Sequence, residues 1–162
     1  MKLKPLIGKN EAISNFFIED VCKKYGIQLN GVYMRNTLPE DMPIGNYIVN
    51  LEPTNCNGTH WVAIVVGTDQ CCTFDSFGVV PCQQSYDLLK KKFDKIYYST
   101  KDIQNLNSSA CGYFCLGLLI YLTKTKKQPK TLARKVNDYT NLFSDDTTKN
   151  NKILFEFLKK NT

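Results

Sequence analysis

The chain has a single histidine, His60, and no cysteine pair spaced C-x-x-C, so the usual structural zinc sites are excluded and no metal is expected. Its longest apolar run, around residues 114–122, falls well short of the ~20 residues that a membrane-spanning helix needs. The start, Met1-Lys2-Leu3-Lys4-Pro5, is basic but lacks the apolar centre of a signal peptide. The expectation is a protein that is not secreted and has no membrane partner. In a reducing compartment a disulfide framework is not expected either, even though there are seven cysteines, at positions 22, 56, 71, 72, 82, 111 and 115. They read as mostly reduced and buried. Repeats, low-complexity tracts and a second domain are also missing. The 162 residues suffice for one core, so residues 1–162 are read as a single, monomeric domain.

What is present is ordinary for a globular protein, with 43% hydrophobic and 22% charged residues. The net charge of +6 is unevenly placed: residues 1–123 carry eleven Lys/Arg against eleven Asp/Glu, and residues 124–162 carry ten against four. That basic quarter fits either a polyanion such as nucleic acid or a solvated helical face.

Residues 9–25 predict an amphipathic helix, with Ala12, Ile13, Phe16, Phe17, Val21 and Tyr25 at helical spacing and Gly26 closing it. Residues 31–45 read as a loop rich in turn formers, and 47–51 as a strand. A turn-rich loop over 53–59 delivers His60 to the head of a strand over 61–66. A turn at 67–70 and a strand over 71–76 follow, with a break at Phe77-Gly78. Antiparallel pairing about that turn would set His60 across from Asp75 or its neighbour, within reach of its carboxylate. Residues 84–93 predict a short helix with Tyr86, Leu89 and Phe93 on one side, and 95–99 a strand. Two basic amphipathic helices are expected near 129–139 and 151–160, the second striped by Ile153, Leu154, Phe157 and Leu158. Helix, strands, then helices argue for an α+β fold.

The chain centres on Asn107-Ser108-Ser109-Ala110-Cys111-Gly112-Tyr113-Phe114-Cys115, which runs into an apolar stretch of helical length. Ser108 or Ser109 suits an N-cap. Cys111 then falls in the first turn, where the helix dipole favours a thiolate, on a helix apolar enough all round to be buried. A thiol nucleophile needs a base and a group that orients the base. Cys111, His60 and Asp75 supply those types. The Cys111 main-chain N–H and the Gln104 amide supply donors for an oxyanion.

Three ordered blocks resemble the adenovirus maturation protease (adenain) family and, more loosely, the ubiquitin-like-protein (SUMO) proteases of the same clan. They are Gly58-Thr59-His60-Trp61, Phe74-Asp75-Ser76-Phe77-Gly78, and Gln104 followed by Asn107 to Cys115. The likeness covers about residues 12–123. It implies a papain-like core with a small mixed or antiparallel sheet packed by helices. The roles it implies are Cys111 as nucleophile, His60 as base, Asp75 as orienting acid where adenain has Glu, and Gln104 as oxyanion donor. Trp61 would pack beside the imidazole and Gly112 would support the site. It further implies a viral thiol protease of the virion or infected cell that cleaves capsid precursors, often at glycine-containing sites. No cofactor is needed for the chemistry. Stimulation by DNA, here through residues 124–162, or by a capsid-derived peptide bound through a disulfide is a family trait. Cys82 lies in the interval of that peptide's cysteine, although no motif equates the two. The rival readings are a ubiquitin-like-modifier protease, a related-fold protein acetyltransferase and a non-enzymatic scaffold. The last leaves the four-residue set without a purpose.

Overall fold

A computed structural model of the chain describes residues 2–52 and 60–162. The loop expected over 53–59, with Cys56, Gly58 and Thr59, lies outside the described residues.

Five strands form one sheet in the order β1-β2-β3-β4-β5. They are β1 (Gly31–Met34), β2 (Gly45–Asn50), β3 (Trp61–Val66), β4 (Cys71–Phe74) and β5 (Tyr97–Tyr98). The central strand β3 is antiparallel to both β2 and β4, and each edge strand runs parallel to its neighbour. Among the described residues five α-helices complete the fold, α1 (Asn15–Lys24), α2 (Gln83–Lys90), α3 (Cys111–Lys124), α4 (Leu132–Thr140) and α5 (Asn150–Asn161), with a 3-10 turn over Thr147–Lys149 leading into α5.

The period of two along β3 divides the core. Trp61, Ala63 and Val65 point to the face covered by α1, α3, α4 and α5. Val62, Ile64 and Val66 point to the opposite face, against Met42, Tyr47 and Leu89. The sheet is thus buried on both sides, which accounts for the unbroken burial of all six β3 residues. At the centre of the helical face lies α3, with Cys111 through Ile120 all buried. Tyr139 of α4 locks onto it, its hydroxyl donating to the Phe114 carbonyl at 2.7 Å. The basic helices α4 and α5 therefore contribute Val136, Tyr139, Leu154 and Leu158 to the same core as α3.

Several expectations need correction. The first helix starts at Asn15 rather than near residue 9, because the Ser14 hydroxyl accepts the Phe17 N–H and caps it there. Ile13 is still buried, but Phe16 is 70% exposed and leaves the expected stripe. The loop expected over 31–45 contains β1. Its Asn30-Gly31 start reads as a turn, yet Asn30 and Asn46 are spent tying the two strands: Asn30 N–H donates to the Asn46 carbonyl at 2.7 Å and Asn46 Nδ2 to the Gln28 carbonyl at 2.8 Å. β4 stops at Phe74, two residues before the expected end. α2 ends at Lys90 and turns Ser85 and Leu89 inward, leaving Tyr86 42% exposed. The last two helices match the expected ones to within a few residues, although α4 begins at Leu132, capped by Thr131.

Candidate active site

His60 stands one residue before β3, its carbonyl still accepting the Leu51 N–H at 3.0 Å. Asp75 stands one residue after β4 and opens a tight turn. Its carbonyl accepts the Gly78 N–H at 2.8 Å, and its Oδ1 accepts the Phe77 N–H at 2.8 Å. The same Oδ1 lies 2.9 Å from His60 Nε2. The two residues meet as expected, but not as a cross-strand pair. The β3–β4 ladder ends at Ala63 opposite Phe74, and continued by count it would set His60 opposite Phe77. The turn brings Asp75 back instead, while the Phe77 ring lies 5.1 Å from the imidazole. This turn requires Gly78. Its φ is +74°, and a Cβ there would come within 2.5 Å of the Thr100 carbonyl oxygen.

Cys111 opens α3 and is buried. Its sulfur accepts the main-chain N–H of Trp61 at 3.3 Å and hydrogen-bonds the His60 ring. With Nε2 committed to Asp75, Nδ1 is the ring nitrogen left for the sulfur. Burial on its own would depress the imidazole pKa. Hydrogen bonds to Asp75 and Cys111, with the negative charge of both, outweigh it and lift His60 to about 9. Four buried thiols have no such partner charges of opposite sign and are ruled by burial. Burial pushes Cys22 and Cys72 up to about 12 and Cys71 up to about 11. Cys115, one turn after Cys111, is pushed well above the ordinary thiol range, and its S–H donates to the Trp61 carbonyl at 3.5 Å.

Neither Ser108 nor Ser109 is the N-cap of α3. Ala110 holds that place without a side-chain bond. The Ser108 hydroxyl instead accepts the Ala110 N–H at 3.1 Å, and Ser109 N–H donates to Asn10 Oδ1 at 2.7 Å. The positive end of the helix is thereby left at the sulfur rather than covered by a hydroxyl. Gln104 is buried just upstream. Its Nε2 donates to the Ser108 carbonyl at 3.0 Å, within the loop that leads into Cys111.

Trp61 and Gly112 close the site from the other side. Trp61 Nε1 donates to the Ile13 carbonyl at 2.9 Å. A Cβ on Gly112 would sit 2.5 Å from Ile13 Cγ1 and 3.1 Å from Trp61 Cδ1, so only glycine lets α3 approach this closely. Beside Trp61 opens a cleft of about 400 Å³, lined among others by Ile13, Tyr33, Met34, Thr37 and Asn50. Asn50 is fully buried, and its Nδ2 has no hydrogen-bond partner among the described residues. Three residues at the site have no expected role there: Asn50, Ser76 and Ile13, the last expected only on the apolar stripe of the first helix. Ser76 stands inside the block Phe74 to Gly78 and Asn50 in the strand expected over 47–51; β2 sets Asn50 opposite Trp61. Among the described residues no three His, Cys, Asp or Glu side chains gather as a metal site, and no helix is long and apolar enough to cross a membrane.

No protein-family profile matches the chain, and no curated protein matches it. Solved structures do. Two structures of the ASFV pS273R protease align over 96% of this chain and 70% of theirs, one at 15% identity with a TM-score of 0.56 and the selenomethionine form at 13% with 0.52. The central domain of Lpg1148 from Legionella pneumophila aligns over 93% of this chain and 96% of its own, at 12% identity and a TM-score of 0.50. The chain has a cysteine-protease-like fold. Within that fold, His60, Asp75 and Cys111 converge at one end of the sheet, where β3 begins, β4 ends and α3 starts.

Proposed function

We propose that the chain is a cysteine endopeptidase working through a thioester acyl-enzyme. The observation that carries this is the single histidine held between Asp75 and Cys111 with its pKa lifted to about 9. Such a ring is protonated at neutral pH and pairs with a thiolate. The Cys111 sulfur attacks the substrate carbonyl carbon, and the carbonyl oxygen becomes an oxyanion at the N-terminus of α3, met by the Cys111 N–H and Gln104 Nε2. The His60 Nδ1–H passes to the departing amine as the C–N bond breaks. His60, now neutral, takes a proton from water, whose oxygen attacks the thioester and releases the acid. Asp75 keeps the ring oriented and stabilises its charged form. The cleft beside Trp61 receives the substrate chain, with the Asn50 amide at its floor.

The biological role we propose is maturation of viral capsid precursors, with cleavage at glycine-containing sites in virions or infected cells. The adenain-like blocks around His60, Asp75 and Cys111 support it, as does a fold shared with a protease of ASFV. DNA held by the basic residues of 124–162, or a precursor-derived peptide, would act as activator. The test combines limiting alkylation at pH 6, read by intact mass, with a panel of glycine-containing precursor peptides and ubiquitin-like modifier–fluorophore conjugates. Single labelling at Cys111 that is slowed in His60→Ala, with cleavage of the peptides, supports the proposal. Cleavage of the conjugates alone assigns the enzyme to modifier removal. Slow labelling spread over several cysteines, with and without DNA, rejects the catalytic pair.

A further inference from the structure

We propose that Ser76 is a positioning residue for the oxyanion donor Gln104, and that one turn, Asp75 to Gly78, aligns both the acid and the oxyanion hole. This rests on the peptidase reading above.

Ser76 is fully buried and makes three bonds to the Gln104 segment. Its carbonyl accepts the N–H of Ile103 at 2.9 Å and the N–H of Gln104 at 3.1 Å. Its hydroxyl bonds Gln104 Oε1. The direction of that last bond follows from the other end of the amide. Gln104 Nε2 faces the Ser108 carbonyl at 3.0 Å, which can only accept, so the NH₂ group lies there and Oε1 must accept from Ser76. The amide is therefore pinned at its oxygen by Ser76 and at one of its two N–H hydrogens by Ser108.

Among the described residues the second Nε2 hydrogen has only the Ser108 hydroxyl at 3.4 Å, a long contact to an oxygen already engaged with Ala110 N–H and Asn151 Oδ1. That hydrogen is the one available to a developing oxyanion. Without the Ser76 hydroxyl, Oε1 would be a buried acceptor with no partner, and the amide would gain by turning over or withdrawing. A donor must sit within about 2.7–3.1 Å of the oxyanion to act, so a small displacement matters. Because Ser76 follows Asp75 directly, and Gly78 seats the turn against Thr100, the same four-residue turn orients the base through Asp75 and the oxyanion donor through Ser76.

The experiment uses the full chain with N-acetylglycine p-nitrophenyl ester as acyl donor and an acetylglycine aldehyde as tetrahedral probe. It compares Ser76→Ala, the near-isosteric Ser76→Cys, Gln104→Ala and Ser76→Ala/Gln104→Ala. Expected is a loss of kcat of roughly 10-fold or more in both Ser76 variants, a parallel loss of aldehyde affinity, an unchanged KM and an unchanged rate of Cys111 alkylation. In the Gln104→Ala background, removing Ser76 should cost less than about twofold. Full kcat in either folded Ser76 variant, or a Ser76 effect that persists undiminished without Gln104, overturns the proposal and leaves the peptidase reading intact. A thermal melt identifies any variant that does not fold; if both Ser76 variants melt early, a Gln104 side-chain amide exchanging freely with solvent in wild-type NMR spectra overturns the proposal. Wild type that neither forms an acyl-enzyme at Cys111 nor exceeds Cys111→Ala in turnover rejects the peptidase reading, and the role of Ser76 with it.

Discussion

The main-chain N–H of Trp61 donates to the Cys111 sulfur at 3.3 Å, so the residue that follows His60 also holds the Cys111 side chain. The sulfur is thereby surrounded by positive groups: this N–H, the His60 ring and the start of α3. Alkylation should report it. An ordinary thiol of pKa about 8.5 is only about 0.3% thiolate at pH 6 and reacts roughly tenfold faster with each pH unit. Cys111 should instead label at similar rates from pH 6 to 8, while Cys22, Cys72 and Cys115 stay unlabelled in the folded protein. A Cys111 rate climbing tenfold per unit over that range rejects the ion pair.

Asp75→Asn separates charge from geometry. The remaining Oδ1 can still accept the Phe77 N–H and face His60 Nε2, so the turn should survive and only the negative charge is lost. His60 then loses a main support of a pKa near 9, and burial draws it down. Labelling of Cys111 at pH 6 should slow roughly tenfold for each pKa unit lost by the ring. A variant with wild-type labelling and an imidazole still charged at pH 8 by NMR would show that Cys111 alone sets the His60 pKa.

How far the sequence carried this reading depends on the range of the interactions involved. The α3 helix was legible because its apolar residues leave no solvated face, and β3 because it alternates between two buried faces. His60, Asp75 and Cys111 were legible as residue types in order. Their contact was not legible as a register, because it depends on the chain leaving the ladder at Phe74 and on Gly78 adopting positive φ. The start of α1 was misjudged since Ile13 is buried at a helical interval while serving as an extended acceptor for Trp61. The edge strand β1 has half-buried residues without a clear period, and only pairing with β2 defines it. The Ser76–Gln104 bond spans 28 positions, and no local pattern announces it.

Gly112→Ala tests the close approach of α3. In an exposed helix this change would help by about 1 kcal/mol. Here the added methyl meets Ile13 and Trp61 at 2.5–3.1 Å, and overpacking of a core typically costs about 1–3 kcal/mol. Urea denaturation should show net destabilisation, and activity should fall further than stability because Ile13 anchors the Trp61 indole. A variant more stable than wild type would mean that Ile13 moves aside at no cost.

The excess charge of residues 124–162 predicts salt-dependent DNA binding. Within it Asp138 is already matched by Lys130 and Arg134, and Asp145 is reached by Lys101 from outside. Lys124, Lys126 and Lys127 cluster near the end of α3. A footprint of about four phosphates should lose roughly 10²-fold in affinity between about 50 and 200 mM salt, from a slope of about −0.9 per contact. Fluorescence anisotropy with a short duplex measures it, and Lys126→Glu/Lys127→Glu should flatten the slope. Affinity indifferent to salt, or unaltered in that variant, favours the solvated-face reading.

The raised His60 pKa also makes stability depend on pH, with a definite sign. The folded value, about 9, lies above the ordinary 6.5, so the folded state binds the extra proton between them. Its contribution is fully present below about pH 6.5 and is lost as pH rises through about 9. Between those limits the slope due to this group is at most about 1.4 kcal/mol per pH unit. In the wild type the proton that Cys111 gives up as a thiolate offsets this one, so the test is made without the thiol: urea unfolding at pH 6, 7.5 and 9 should show Cys111→Ser losing its margin over Cys111→Ser/His60→Ala as pH rises. A margin that rises from pH 6 to 7.5 and then stays level would mean that the ring is held neutral in the folded protein, and Cys111 would then need another source of activation.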